Sequence, residues 1–271
     1  MRGLTLVALV LALVLPPVTR GEDAASKRRM IKERMEKRVF TSADGEKLPY
    51  RLLVPEGYDA SKKYPLILFL HGAGERGDDN EAQLKNDEFL NLAAVADHPV
   101  ILVAPQCPRD QWWSAIRRSA NGFEAQSGDA SPAMKLTIQL LDALQKEFSV
   151  DPARRYVTGL SMGGFGTFDL LLRRPKDFAA AVPICGGGDE SRAAEMKGTA
   201  FWVFHGGADP VVPPVLSQRM VEALKKAGAE VRYTEYPGVG HNSWTAAYNE
   251  PELASWLFSH SRPQESQPAS P

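Results

Sequence analysis

An α/β fold, its mostly parallel sheet covered on both faces and opened by an antiparallel hairpin, is predicted by three observations. From Tyr64 onward, apolar runs of strand length alternate with segments of helical period, the pattern of a parallel sheet whose crossovers are helices. Ahead of them, two short apolar runs flank Asp44-Gly45, a dipeptide that favours a tight hairpin turn. At residues 156–174 a strand-like run, a glycine-flanked serine and a helix-like segment follow one another without a break. With 271 residues, 44% of them hydrophobic, the chain can build one sizeable core, and an α/β domain of this length is usually single.

Taken in order, residues 1–21 carry Arg2, a twelve-residue apolar run at 4–15 and the helix-breaking Pro16-Pro17. Twelve residues cannot cross ~30 Å of hydrocarbon, so the segment is expected to be a secretory signal, cleaved near Gly21 or Ala25. An uncleaved anchor is the alternative. The mature protein is then exported, with no stable membrane insertion. Residues 22–38 are densely charged and predict an exposed helical arm. The folded domain is expected over 39–260, beginning with hairpin strands at 39–42 and 48–54. Helices are expected at 80–96, 133–148, 163–174, 215–226 and 244–259. In the second of these Leu136, Leu140, Leu141 and Leu144 recur at helical spacing and read as core. The Pro/Ser/Gln-rich tail, 261–271, has no apolar content and is expected to be disordered.

Charge and composition exclude several classes. A formal net charge of −1 gives no electrostatic case for nucleic acid or an acidic membrane surface. There is no phosphate-binding loop, and Gly159, Gly163, Gly164 and Gly166 do not fit a dinucleotide fingerprint. The histidines are scattered and no Cys-x-x-Cys occurs, so neither cofactor nor metal is expected.

The chemistry lies in Gly159-Leu160-Ser161-Met162-Gly163, where the two glycines leave room for a sharp strand-to-helix turn that exposes the serine hydroxyl. A serine is a poor nucleophile until an imidazole takes its proton, and a carboxylate must orient that imidazole. Downstream, an apolar run at 199–204 ends in His205-Gly206-Gly207-Ala208-Asp209, and a β-like run at 231–236 leads to His241. Ser161, Asp209 and His241 thus follow the chain order of α/β-hydrolases as nucleophile, acid and base. Asp189, after Cys185-Gly186-Gly187-Gly188, competes for the acid position. Of the five histidines, His98 and His260 read as solvent-facing, His205 as a packing residue and His71 as a loop-shaping residue. The strand at 64–70 runs into the glycine-rich loop His71-Gly72-Ala73-Gly74. The backbone N–H groups of Ala73 and Met162 are therefore the candidate oxyanion donors.

Together HGAGERG, GLSMGG, FHGGADPVVP and GVGHNSW resemble the exported serine esterases of the α/β-hydrolase superfamily. The branch is the phospholipase/carboxylesterase-like, "predicted peptidase" group, akin to feruloyl esterases and polyhydroxybutyrate depolymerases. The resemblance spans roughly residues 39–259. It implies an α/β-hydrolase fold, an acyl-enzyme mechanism, and an ester substrate such as a feruloyl or acetyl ester of a polysaccharide. In the strand order of that fold two strands separate those preceding Cys107 and Cys185. At ~4.8 Å per strand their ends lie ~14 Å apart, too far for a disulfide, and two buried thiols are expected unless the loops converge.

The connections bear on the substrate. Between Cys185 and Thr199 there is no room for a large cap domain, so the site is expected to be open and to prefer short or aromatic acyl groups. The longest irregular connection, 108–132, holds Trp112 and Trp113, which with Trp244 are candidate substrate-binding residues. The alternative for the tryptophan pair is that both anchor the loop to the core. Two further readings stay open: a serine peptidase of the same fold, and a non-catalytic envelope-binding protein on a hydrolase scaffold.

Overall fold

The computed structural model describes residues 20–94, 99–119, 122–125 and 128–263. The expected signal segment lies almost wholly outside them, as do His98 and the tail from residue 264. In chain order the elements begin with α1 (Arg20–Arg34), β1 (Glu36–Thr41), β2 (Lys47–Leu53) and β3 (Tyr64–Leu70). Next come α2 (Asn91–Ala94), β4 (Ile101–Pro105), β5 (Ile116–Ser119), β6 (Gly122–Ala125), α3 (Pro132–Glu147) and β7 (Val150–Leu160). The remainder is α4 (Met162–Arg173), β8 (Ala180–Ile184), β9 (Ala200–Gly206), α5 (Val215–Lys226), β10 (Val231–Tyr236), α6 (Trp244–Tyr248) and α7 (Leu253–Ser259).

Eight strands form one open sheet in the order β1-β2-β4-β3-β7-β8-β9-β10. The pairs β1/β2 and β2/β4 are antiparallel and the rest parallel. The central strand β3 is buried along its whole length because helices cover both faces. Its side chains alternate accordingly. Leu66, Leu68 and Leu70 join a core with Leu140 and Leu144 of α3, Phe168 of α4 and Leu224 of α5. Ile67 and Phe69 face a second core with Phe89, Tyr248, Leu253 and Leu257.

The parallel arrangement places the ends of β3, β7, β8, β9 and β10 along one edge, where the connecting loops carry the chemistry. As expected, β3 and β7 lie between β4, which precedes Cys107, and β8, which precedes Cys185. Both cysteines are buried free thiols.

Four local expectations need correction. No continuous helix fills the described part of 80–96; instead there are single 3₁₀ turns at Ala82–Leu84 and Glu88–Leu90 and then the short α2. Side chains here compete for the backbone. Asp79 accepts from the N–H groups of Glu81 and Ala82, and Asn80, at φ 56°, donates to the carbonyls of Arg38 and Tyr50. The helix expected at 244–259 breaks into α6 and α7 around Pro251, whose ring and missing N–H exclude it from a helix interior.

The charged arm begins as the helix α1, its outer face exposed and its inner face docked on the domain. Arg28 bonds the Asn91 side chain, Lys32 bonds Leu84 O and Asp87, and the following Met35 is buried. The hairpin begins at Glu36, paired with Leu52, instead of at residue 39. Within the tail, Arg262 donates to the carbonyls of Pro175, Phe178 and Gly198, which holds the described residues 261–263 against the domain. Among the described residues no helix is long and apolar enough to cross a membrane.

Candidate active site

Strand β7 delivers Ser161 at a sharp corner, with φ 53° and ψ −116°, before the chain turns into α4. Positive φ is rare for a serine, and such strain persists only where surrounding packing enforces it. The enforcement is visible: Ser161 N–H donates to Ile184 O at 2.9 Å, and Gly163 lies flat against the end of β3. A methyl on Gly163 would overlap the Leu70 carbonyl oxygen, so only glycine lets α4 start this close to the sheet.

Ser161 Oγ lies 2.8 Å from His241 Nε2, and His241 Nδ1 lies 2.7 Å from Asp209 Oδ2. The other carboxylate oxygen, Oδ1, accepts from the N–H groups of Val211 at 2.8 Å and Val212 at 3.0 Å. A carboxylate that already accepts two backbone donors fixes the tautomer of its imidazole: Nδ1 carries the proton and Nε2 presents a lone pair to the serine hydroxyl. The Asp209 side chain is wholly buried, whereas 21% of the His241 side chain remains exposed. The loops that carry acid and base are tied together by Ala208 N–H to Val239 O. Gly206 makes that approach possible, since a Cβ there would meet the Val239 and Gly240 carbonyls.

Met162 opens α4 and Ala73 opens a 3₁₀ turn after β3. The first N–H groups of a helix have no partner within it, so neither N–H is spent inside its own helix. His71, at the base of the Ala73 loop, is fully enclosed. Its Nε2 accepts from Cys107 N–H at 2.9 Å and its Nδ1 donates to Gly72 O at 2.6 Å. That pattern requires a neutral ring, and burial lowers its pKa to about 4. His71 therefore shapes the loop and is not placed to act as a base. Beside it Glu75 is buried, takes a hydrogen bond from Asn86, and has its carboxyl pushed upward by burial.

The structure separates the remaining candidates. Asp189 accepts from Ser191 N–H and Ser191 Oγ at the start of a 3₁₀ segment, away from His241. The three tryptophans part company. Trp113 is fully buried, donates from Nε1 to His71 O at 2.9 Å, and packs its Cβ on Gly166. It anchors the loop and cannot touch substrate, which corrects that expectation. Trp112 is half-buried beneath the Arg76 guanidinium, 5.1 Å from its ring, and Arg76 Nε donates to Ala73 O. Trp244 is half-buried and meets the His241 ring edge-on at 5.5 Å.

Two features of the site escape a reading of the sequence. His205, expected only to pack, is fully buried with Nε2 2.9 Å from Val212 O and 3.3 Å from Asp209 Oδ2. Both are acceptors, so Nε2 carries its proton and holds the loop that presents the acid. The second is Cys185. Its thiol, pushed up to about 12 by burial, lies with Asp209 and His241 in a group whose candidate ligand atoms are all within 4.8 Å of one another. The three residues follow three different strands, and no spacing in the sequence marks them as a cluster.

The model of the phospholipase/carboxylesterase family matches residues 58–250. A protein of Aspergillus terreus named "Probable feruloyl esterase C" is 29% identical over 164 residues, which are 60% of this chain and 56% of that protein. A dipeptidyl-peptidase 5 of Porphyromonas gingivalis is 29% identical over 61% of this chain but only 23% of its own length. Among solved structures, that of a thermostable esterase superposes with a TM-score of 0.79 at 38% identity, over 86% of this chain and 64% of that one. The chain thus spans little more than half the length of the first of these relatives. The eight-stranded sheet with its antiparallel start is the α/β-hydrolase arrangement.

Proposed function

The chain belongs to the phospholipase/carboxylesterase family, and we propose that it is an exported serine carboxylic-ester hydrolase working through an acyl-enzyme on short-chain, acetyl or feruloyl esters. The observation that carries the reading is the continuous hydrogen-bonded line from Ser161 Oγ through His241 to Asp209, at 2.8 and 2.7 Å. In this mechanism Nε2 takes the Ser161 proton as Oγ attacks the ester carbonyl. The N–H groups of Met162 and Ala73 receive the oxyanion, and the imidazolium returns its proton to the departing alcohol. Water then repeats the sequence on the acyl-serine. Asp209 stays ionised throughout and stabilises the charged ring.

The substrate class is supported by three features. The connection between β8 and β9 holds only a 3₁₀ segment, Glu190–Met196, with no cap over the serine. Trp112 and Trp244 offer aromatic surface next to the oxyanion loop and the base. The feruloyl esterase named above is also a relative. A long acyl chain would need cover for many methylenes at ~0.8 kcal/mol each. Export is supported by Arg2, the apolar run at 4–15 and Pro16-Pro17.

The same triad can cleave amides, and a peptidase is among the relatives. That enzyme, however, has most of its length outside the matched region. The test is a panel of p-nitrophenyl acetate, butyrate and octanoate, methyl ferulate, acetylated xylan and an aminoacyl-p-nitroanilide. Turnover of the acetate and ferulate with little of the octanoate or anilide is expected. Preference for the anilide would make the protein a peptidase, a chain-length optimum at eight carbons or beyond would sink the open site, and inertness to all would leave a binding protein.

A further inference from the structure

We propose that Cys185, Asp209 and His241 form a binding site for a thiophilic divalent cation, Zn²⁺ being the type, whose occupancy switches the triad off. The inference rests on the proposed esterase function for one of its two readouts only. A thiol, a carboxylate and an imidazole are the ligand types that zinc takes, and their ligand atoms already lie within 4.8 Å of one another. Bond lengths of 2.0–2.3 Å to a tetrahedral ion put neighbouring ligand atoms about 3.3–3.6 Å apart, so a separation of 4.8 Å must shrink by about 1.2–1.5 Å while His241 Nδ1 and Asp209 Oδ2, now 2.7 Å apart, open by about 0.6 Å. A thiolate and a carboxylate would together neutralise a divalent charge, which a buried site demands.

An independent observation points into the same spot. Ser243 is fully buried, and its hydroxyl is hydrogen-bonded to the Cys185 thiol. That hydroxyl, already directed at the sulfur, is placed to supply a fourth oxygen ligand or a partner for a bound water. The way in runs past the His241 imidazole, which is the one member of the set with exposed surface.

The protons balance without any redox step. The S–H bond of Cys185 gives way to a sulfur–metal bond and its proton leaves to solvent. The Nδ1 proton of His241 relocates to Nε2, so the ring stays neutral while Nδ1 ligates the ion and releases Asp209 Oδ2 to do the same. His241 then presents N–H, instead of a lone pair, to Ser161 Oγ. It can no longer take the serine proton. Hard cations gain nothing here, because Mg²⁺ and Ca²⁺ prefer six or more oxygen ligands.

The experiment titrates p-nitrophenyl acetate hydrolysis by the full chain with ZnCl₂, using MgCl₂ and CaCl₂ as controls. In parallel, Cd²⁺ is added and the ultraviolet thiolate-to-cadmium charge-transfer band recorded. Zn²⁺ is expected to lower the wild-type rate at least about tenfold, with no effect of Mg²⁺ or Ca²⁺. Cys185→Ala and Cys185→Ser should need at least about tenfold more Zn²⁺ than the wild type to lose the same fraction of their own metal-free rate. The chain has 2 cysteines, so a cadmium band in Cys107→Ala must come from Cys185, even were the Cys185 variants to misfold. The same band should appear in Ser161→Ala, which separates the metal site from any failure of the esterase reading. Unchanged Zn²⁺ sensitivity in the Cys185 variants, or the absence of a cadmium band in Cys107→Ala, would overturn the proposal.

Discussion

Replacing Asp209 by Asn changes one atom and should disable the site through a tautomer rather than through the fold. The amide oxygen must occupy the Oδ1 position, because Val211 and Val212 aim N–H groups at it from 2.8 and 3.0 Å. The reverse orientation would set the NH₂ group against two donors. The NH₂ therefore takes the Oδ2 position, where it faces His241 Nδ1 at 2.7 Å and His205 Nε2 at 3.3 Å. An N–H group cannot face an N–H group at that distance, so the His241 proton moves to Nε2. Nε2 then points a donor at Ser161 Oγ. In other serine hydrolases this inversion lowers kcat by roughly 10³–10⁴, about 4–5.5 kcal/mol of lost transition-state stabilisation. The assay is kcat for p-nitrophenyl acetate, with thermal melting by circular dichroism to show the fold intact. Asp189→Asn, which affects only the cap on Ser191, should stay within about twofold of wild type. Residual activity within about tenfold for Asp209→Asn, or a larger loss at Asp189→Asn, would refute the reasoning.

Three further outcomes follow from the packing. Gly163→Ala sets a methyl on the Leu70 carbonyl oxygen, where backbone must move, and should cost about 3 kcal/mol in a urea titration; an unchanged midpoint would show that α4 can slide. Trp112→Ala should raise KM for aryl or glycosyl esters and leave p-nitrophenyl acetate nearly unaffected. Trp113→Ala should instead lose about 3–5 kcal/mol of stability and depress all esters alike, because its ring fills the core and holds His71 O. The neutral His71 adds a pH effect. Its pKa is about 4 in the folded state against 6.5 unfolded, so the unfolded chain binds the extra proton in that window. Its contribution is complete above pH 6.5 and lost as pH falls toward about 4, with a slope of at most about 1.4 kcal/mol per pH unit. His71→Gln should flatten the urea-derived stability profile between those limits, and an unchanged slope would mean the ring is charged in the folded protein.

Much of the site was legible because each triad member follows an apolar run and a glycine that announce a strand end. Ser161, Asp209 and His241 are 80 and 32 residues apart in their hydrogen-bonded pairs, yet strand order alone gathers them. The tryptophan pair was not legible. Which of two adjacent rings turns inward depends on how the loop returns to the His71 carbonyl, 42 residues back in sequence. The segment at 80–96 misled for a local reason: it has helix-forming residues, but Asp79 and Asn80 spend their side chains on nearby backbone groups. His205 and Cys185 looked like strand-end packing. Only the parallel alignment of β8, β9 and β10 brings them under the acid and base.

The most direct test of the central claim is the mass of the trapped intermediate. The protein is mixed with p-nitrophenyl acetate, quenched in acid within the first turnovers and digested for peptide mapping. A single acetyl group is expected on the peptide containing Ser161 and none in Ser161→Ala, which should also fall by orders of magnitude in rate while remaining folded. An acetyl group on another residue, or hydrolysis by Ser161→Ala above about a tenth of the wild-type rate, would contradict it.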